Sequence, residues 1–89
     1  MPSAPKNIIG STIRRLRVER DFTQDALAAR CQLAGWDLSR ATLSKIEAGL
    51  RRINDAEILM LAQVLGVNIT ELFPENPTEL HDVLRHSDP

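Results

Sequence analysis

The chain of 89 residues has one cysteine, no tyrosine, two phenylalanines and one tryptophan. A single cysteine excludes an intrachain disulfide and any zinc site built from several cysteines. With so few aromatic rings, we expect an aliphatic core, as in small helical bundles. No run of about 18 apolar residues exists, which predicts no membrane span, and residues 1–10 lack the apolar segment of a secretory signal. These absences favour a cytoplasmic protein.

The charges are divided unevenly along the chain. The net charge of −1 argues mildly against a nucleic-acid binder. Residues 1–54, however, carry ten basic and five acidic side chains, a net +5, whereas residues 55–89 carry one basic and seven acidic side chains, a net −6. Such a molecule can present a basic face to phosphate while its other end stays acidic. The alternative interpretation is ordinary solvated surface charge.

Prolines and apolar spacing divide the chain into three regions. Two prolines and small residues predict a disordered arm at residues 1–6. Residues 7–73 are expected to form one compact all-α domain, with neither an internal repeat nor the alternation typical of strands. Two further prolines then break the chain, and residues 74–89 form an acidic tail with one more helical piece at 78–85.

Five helices are expected in the compact domain, each with a capping residue before it or a glycine after it. They cover about residues 8–20, 24–35, 40–48, 55–65 and 69–73. The expected capping residues are Asn7, Thr23, Ser39, Asn54 and Asn68. On the second helix, Leu27, Ala28 and Cys31 have the spacing of an inward face. Cys31 is therefore interpreted as a small buried hydrophobe, although a redox role remains an alternative.

The segment Thr23–Gly49 is the most informative part of the chain. It has the pattern of two short helices, the second of which carries small and polar side chains on one face and apolar ones on the other. On that second helix, Leu43 and Ile46 face inward. An element that buries one side and lies against DNA needs this pattern, so we interpret the segment as a helix-turn-helix.

Three stretches in this order, IGSTIRRLRVERDFTQDALA, RATLSKIEAG and AEILMLAQVLGVNITELF, resemble the phage-repressor-like helix-turn-helix family, also called the XRE or Cro family. The resemblance covers about residues 9–73. It implies five compact helices, of which the second and third form the DNA-binding motif, and usually a homodimer on a two-fold operator. In one departure, Ile53-Asn54 follows where the loop after Gly49 commonly carries a proline.

A second departure is the connection CQLAGWDLS, which is longer than the family's short turn between the second and third helices. Either the second helix gains a turn or the connection bulges. Trp36 is expected to fill the extra space as a core residue. The alternative for Trp36 is stacking on a nucleic-acid base.

The resemblance also implies site residues on and around the third helix. Base contacts are predicted for Arg40, Ala41 and Lys45, since arginine and lysine can donate to guanine and alanine can touch a thymine methyl. Phosphate contacts are predicted for Thr23, Gln24, Thr42, Ser44, Arg51 and Arg52. Arg17 and Glu47 are expected to form a structural ion pair that fixes the angle of the third helix. The alternative is a solvent-exposed polar face, with Thr23 acting mainly as a cap.

The expected function is a sequence-specific DNA-binding transcriptional regulator whose partner is double-stranded DNA. We expect no catalytic residue, cofactor or metal ion; His81 and His86 lack companions for a metal site. A homodimer through the fifth helix and the tail is predicted. The alternative is a protein-interaction module on the same fold, such as an antitoxin with its toxin or an adaptor, which the apolar residues of the acidic tail favour. A third hypothesis, a fragment of an enzyme, finds no catalytic constellation.

Overall fold

The computed structural model describes residues 4–85 and places helices, and no strand, within that range. The α-helices are α1 Gly10–Glu19, α2 Gln24–Leu33, α3 Arg40–Glu47, α4 Asp55–Leu65 and α5 Leu80–Arg85, and a 3-10 helix Ile69–Leu72 follows α4. The all-α prediction is confirmed. The fifth element of the compact domain is a single 3-10 turn, since only four residues separate Asn68 from Phe73.

Side-chain caps begin three of the helices where the sequence predicted them. Thr23 Oγ1 and Ser39 Oγ each accept a hydrogen bond from the backbone N–H three residues on, at 3.0 and 3.1 Å. Asn54 and Glu57 form a capping box at the start of α4, with distances of 2.8 and 3.1 Å. Each such cap contributes about 1 kcal/mol, so the bounds of α2, α3 and α4 are set locally.

α1 begins at Gly10, two residues later than predicted. Asn7 still serves its start, because its side-chain Oδ1 accepts from the N–H groups of Ile9 and Gly10, at 3.1 and 2.7 Å. Of the predicted disordered arm, residues 4–6 are described, and the N–H of Lys6 donates to the carbonyl of Gly49 at 2.8 Å. Residues 1–3 of that arm, and His86 with the rest of the tail's end, lie outside the described residues.

One aliphatic core lies between the helices. α2 packs against both α3 and α4, α1 also packs against both, and the 3-10 helix packs against α4. The buried core residues are Ile9, Ile13, Leu16, Leu27, Cys31, Leu38, Leu43, Ile46, Leu61, Ala62, Leu65 and Leu72. Fully burying a side chain of this size stabilises a fold by about 1.5–3 kcal/mol. The predicted burial of Cys31 is confirmed, and burial raises the pKa of its thiol to about 11.

The long connection between α2 and α3 bulges, and Leu38 rather than Trp36 is its buried anchor. α2 continues to Leu33; Gly35 then adopts a φ of +100°, and the N–H of Trp36 returns to the carbonyl of Cys31 at 2.9 Å. Leu38 is 1% exposed, whereas Trp36 is half-buried and packs against the edge of the core. Trp36 thus contributes to the core at its edge, as its expected core role requires in part, and the residue that fills the space between the helices is the smaller Leu38.

The tail contains the predicted helical piece as α5, which lies on the surface. None of its residues is buried. Its apolar side chains Leu80 and Leu84 are 38% and 57% exposed, and Phe73 before it is 41% exposed. Among residues 4–85 no helix has the length and hydropathy needed to cross a bilayer.

Candidate nucleic-acid interface

The candidate interface is the outer face of α3. Leu43 and Ile46 are fully buried and hold the helix to the core. The opposite face presents four of the predicted contact residues to solvent: Arg40, Ala41, Ser44 and Lys45. A short helix held by one apolar stripe can therefore offer its other side to a groove of DNA without any rearrangement of the domain.

Two predicted contact residues near the start of α3, Arg40 and Thr42, have neighbours within the domain. The guanidinium of Arg40 lies 3.9 Å from the carboxylate of Asp25 on α2, and the two side chains are 66% and 78% exposed. Exposed pairs of this kind contribute little, so Arg40 can exchange this partner for another at small cost. Thr42 is half-buried, and its hydroxyl accepts a hydrogen bond from Ser39 at 3.0 Å.

The far end of α3 is bound to α1 by an ion pair. Arg17 donates to both carboxylate oxygens of Glu47, at 2.7 and 3.0 Å, and their side chains are 11% and 3% exposed. Arg17 also donates to the carbonyl of Phe22 at 2.8 Å. The hydrogen bond with Glu47 raises the pKa of Arg17, so the guanidinium stays charged. The structure thus brings together the two residues that were predicted to set the angle of α3.

Gln24, a predicted phosphate ligand, lies at the start of α2 and joins the same cluster. Its side-chain Nε2 donates to Glu47 at 3.1 Å. The carboxylate of Glu47, on α3, therefore accepts hydrogen bonds from Arg17 on α1 and from Gln24, the first residue of α2. This arrangement locks the start of α2 to the end of α3. Thr23 beside it is exposed, with its hydroxyl oxygen already accepting the capping bond.

The loop after α3 carries Arg51 and Arg52, also predicted to contact phosphate. Arg51 donates to both carboxylate oxygens of Glu57, at 3.0 and 2.9 Å, and to the carbonyl of Arg52 at 2.8 Å. Hydrogen bonding with Glu57 raises the pKa of Arg51, and the same contact lowers the pKa of Glu57. The guanidinium of Arg51 thus supports the loop through these hydrogen bonds. The side chain of Arg52 is exposed.

Two features of this site were missed by reasoning from the sequence. One is the Arg51–Glu57 pair, since Glu57 was assigned only its capping role. The other is Gly10, where a Cβ atom would lie 2.2 Å from the carbonyl oxygen of Ile46. A glycine in the first turn of a helix, where alanine is the better helix former, is a signal of such a close approach.

The short helix α3 has one buried stripe, and the capped helix α2 precedes it. The first residue of α2, Gln24, is hydrogen-bonded to Glu47 at the end of α3. This arrangement defines a helix-turn-helix domain. The family model of the helix-turn-helix group HTH_3 matches residues 13–72. The chain belongs to this phage-repressor-like, or XRE, family of helix-turn-helix regulators.

Individual relatives give the same assignment. The chain is 35% identical over 80 residues to the HTH-type transcriptional regulator RamB of Mycobacterium tuberculosis, a match that covers 90% of this chain but only 16% of RamB. It is 36% identical over 67 residues to an uncharacterized HTH-type transcriptional regulator, y4dJ, of Sinorhizobium fredii, with 75% of this chain and 80% of that protein covered. The crystal structure of the restriction-modification controller protein C.AhdI of Aeromonas hydrophila aligns with a TM-score of 0.65 at 31% identity, covering 73% of this chain and 91% of that one.

Proposed function

We propose that this chain is a sequence-specific DNA-binding transcriptional regulator that reads the major groove with α3. The observation that carries the proposal is the division of α3 into a fully buried face, Leu43 and Ile46, and an exposed face with Arg40 and Lys45. Arg40 would donate a fork to guanine O6 and N7, Lys45 a single charged contact, and Ala41 an apolar contact to a thymine methyl.

Phosphate contacts around α3 would hold the domain in register on the duplex. The start of α2 offers Thr23, Gln24 and the positive end of the helix dipole, which attracts phosphate. Thr42 and Ser44 would reach the backbone from α3, and Arg52 from the following loop. Arg51 is proposed to act mainly as the support of that loop, since its guanidinium already holds Glu57.

The regulator would act in the cytoplasm and without catalytic activity. It would bind as a homodimer, because one recognition helix reads only a few base pairs and a two-fold partner doubles the contact. The exposed apolar side chains Phe73, Leu80 and Leu84 support pairing through the 3-10 helix and the tail. The same exposed side chains favour a second candidate role, the binding of a protein partner such as a toxin. Sedimentation at tens of micromolar separates the two: a constant monomer mass would contradict the homodimer.

The experiment that tests DNA reading starts from sites selected out of random duplex DNA at stated salt. Arg40→Ala and Lys45→Ala should each weaken binding to the selected site by about 1–3 kcal/mol. Arg15→Ala is the matched control, since Arg15 is an exposed arginine on α1 that pairs with Glu19. Affinity should also fall steeply with salt. If both α3 variants bind the selected site as tightly as the wild type does, the proposed role of α3 is refuted.

A further inference from the structure

The side chain of Asn7 makes four hydrogen bonds to the backbone of the domain, and Asn7 is not among the proposed base or phosphate contacts. The residue is 5% exposed. Its side-chain oxygen accepts from the N–H groups of Ile9 and Gly10, and its side-chain nitrogen donates to the carbonyls of Ile46 at 3.0 Å and Arg51 at 2.9 Å. An amide NH₂ has two donors, so both are used, and both reach across about forty residues of chain to the region of α3.

The two accepting carbonyls lie at the places where α3 and its loop need support. The carbonyl of Ile46 belongs to the last turn of α3, where helices lack their own donors, and it accepts from the N–H of Gly49, just past the helix, at 3.1 Å as well as from Asn7. The carbonyl of Arg51 belongs to the loop that carries the phosphate candidates. Two neighbours of Asn7 add to the attachment: the N–H of Lys6 donates to Gly49, and Gly10 brings the backbone of α1 against Ile46. We call residues 6–10 the N-terminal clamp.

The N-terminal clamp connects α3 to the loop after it, which the Arg17–Glu47 pair does not. That ion pair joins α1 to α3 through side chains, whereas Asn7 joins α1, the backbone of α3 and the backbone of the loop through one rigid amide. Loss of its donors would leave the carbonyl of Ile46 with the bond from Gly49 and would remove the Asn7 bond from the carbonyl of Arg51. A buried carbonyl that loses a hydrogen bond must find water or move, at a cost in free energy. A shift of α3 and of the loop relative to one another would then misalign base and phosphate contacts together.

We propose that Asn7 is a positioning residue for DNA recognition, whose amide holds α3 and the Leu50–Ile53 loop in one fixed relation. This inference rests on the proposed DNA-reading function. It predicts an effect on the discrimination between the selected site and non-specific DNA, and a smaller effect on non-specific binding, which depends on charge alone.

The variants that test it are Asn7→Ser and Asn7→Asp. Serine keeps a capping oxygen for the start of α1 but is too short to reach both carbonyls; aspartate keeps the shape and the acceptor but has no donor. Leu72→Val is the control, because Leu72 is fully buried in the 3-10 helix, which packs on α4. The control loses stability through the packing of the 3-10 helix on α4. All variants are compared with the wild type at a temperature where each is folded.

Both Asn7 variants should lower the ratio of specific to non-specific affinity about tenfold, the effect of one disturbed base contact, while Leu72→Val leaves the ratio unchanged. Hydrogen exchange supplies a readout without DNA: the amides of Ala48, Gly49 and Leu50 at the end of α3 should exchange faster in the Asn7 variants than in the control, and those of α4 should exchange no faster than in the control. If the wild type selects no site, the proposed function fails and hydrogen exchange still decides on the clamp. Unchanged specificity in both Asn7 variants, or exchange at the end of α3 equal to that of the control, would overturn the inference.

Discussion

Replacing Gly10 by alanine should destabilise the domain, although alanine is the better helix former. A Cβ atom built on Gly10 lies 2.2 Å from the carbonyl oxygen of Ile46 and 3.0 Å from that of Glu47. Ordinary contact begins at 3.4 Å, so the backbones of α1 and α3 would have to separate by about 1 Å in a close-packed interior. The side-chain Oδ1 of Asn7 also lies at 3.0 Å, but the nearest obstructing atom is a backbone oxygen, which no rotamer change can move aside.

The magnitude follows from two opposing effects. Overpacking of this kind costs about 1–3 kcal/mol, and the helix propensity of alanine over glycine returns at most about 1 kcal/mol. Because the clash is with backbone, the upper part of the overpacking range applies, and the net loss is about 1–2 kcal/mol. This is equivalent to a fall in Tm of about 5–15 °C for a domain of this size.

Urea denaturation followed by circular dichroism measures the loss, as a lower midpoint at an unchanged m value. Ser11→Ala is the control, since Ser11 is the next residue of α1 and is exposed; its unfolding free energy should stay within about 0.5 kcal/mol of the wild type. A Gly10→Ala protein as stable as the wild type, or more stable, would refute the close approach of α1 and α3.

Three further predictions concern buried or paired ionisable groups. Glu47→Gln should lower the unfolding free energy by about 3 kcal/mol, because it leaves the partly buried guanidinium of Arg17 without its counter-ion. An unfolding free energy within about 0.5 kcal/mol of the wild type, the usual effect of a surface substitution, would contradict this. The contact with Arg51 lowers the pKa of Glu57 below its ordinary 4.5, so its contribution to stability is present above pH 4.5 and is lost as pH falls through the lowered pKa. Denaturation across that range should therefore show a steeper acid loss in the wild type than in Glu57→Gln, and equal slopes would argue against the pair. Burial raises the pKa of Cys31 from 9.0 to about 11, so its contribution is complete below pH 9.0 and is lost as pH rises through about 11. A thiol reagent at neutral pH should label Cys31 only as fast as the domain opens, and labelling as fast as in urea-unfolded protein would contradict its burial.

The elements that could be predicted from the sequence are those whose physical causes are local. A capping bond joins residues three apart, so Thr23, Ser39 and Asn54 could be assigned to helix starts without knowledge of the fold. Helical spacing likewise identified the inward faces of α2 and α3, because an apolar stripe on an isolated helix already indicates which side will be buried.

The features that could not be predicted depend on contacts between distant parts of the chain. The donors of Asn7 reach partners 39 and 44 residues away, and no local pattern encodes such a pairing. Leu38 and Trp36 lie in a connection without periodicity, so the choice between them depends on the size of the gap that the packed helices leave. The assignments of Arg40, Ala41 and Lys45 to bases came from the resemblance, and they stay predictions until DNA binding is measured.

The bulged connection before α3 has an evolutionary consequence. Ala34, Gly35 and Asp37 are exposed, while Trp36 packs against the edge of the core and Leu38 is buried in it. Insertions beside the exposed Asp37 would keep Trp36, the leucine anchor and both helices. Lineages of this fold could therefore lengthen that segment, and so acquire new surface beside α3 without redesigning the scaffold that carries it.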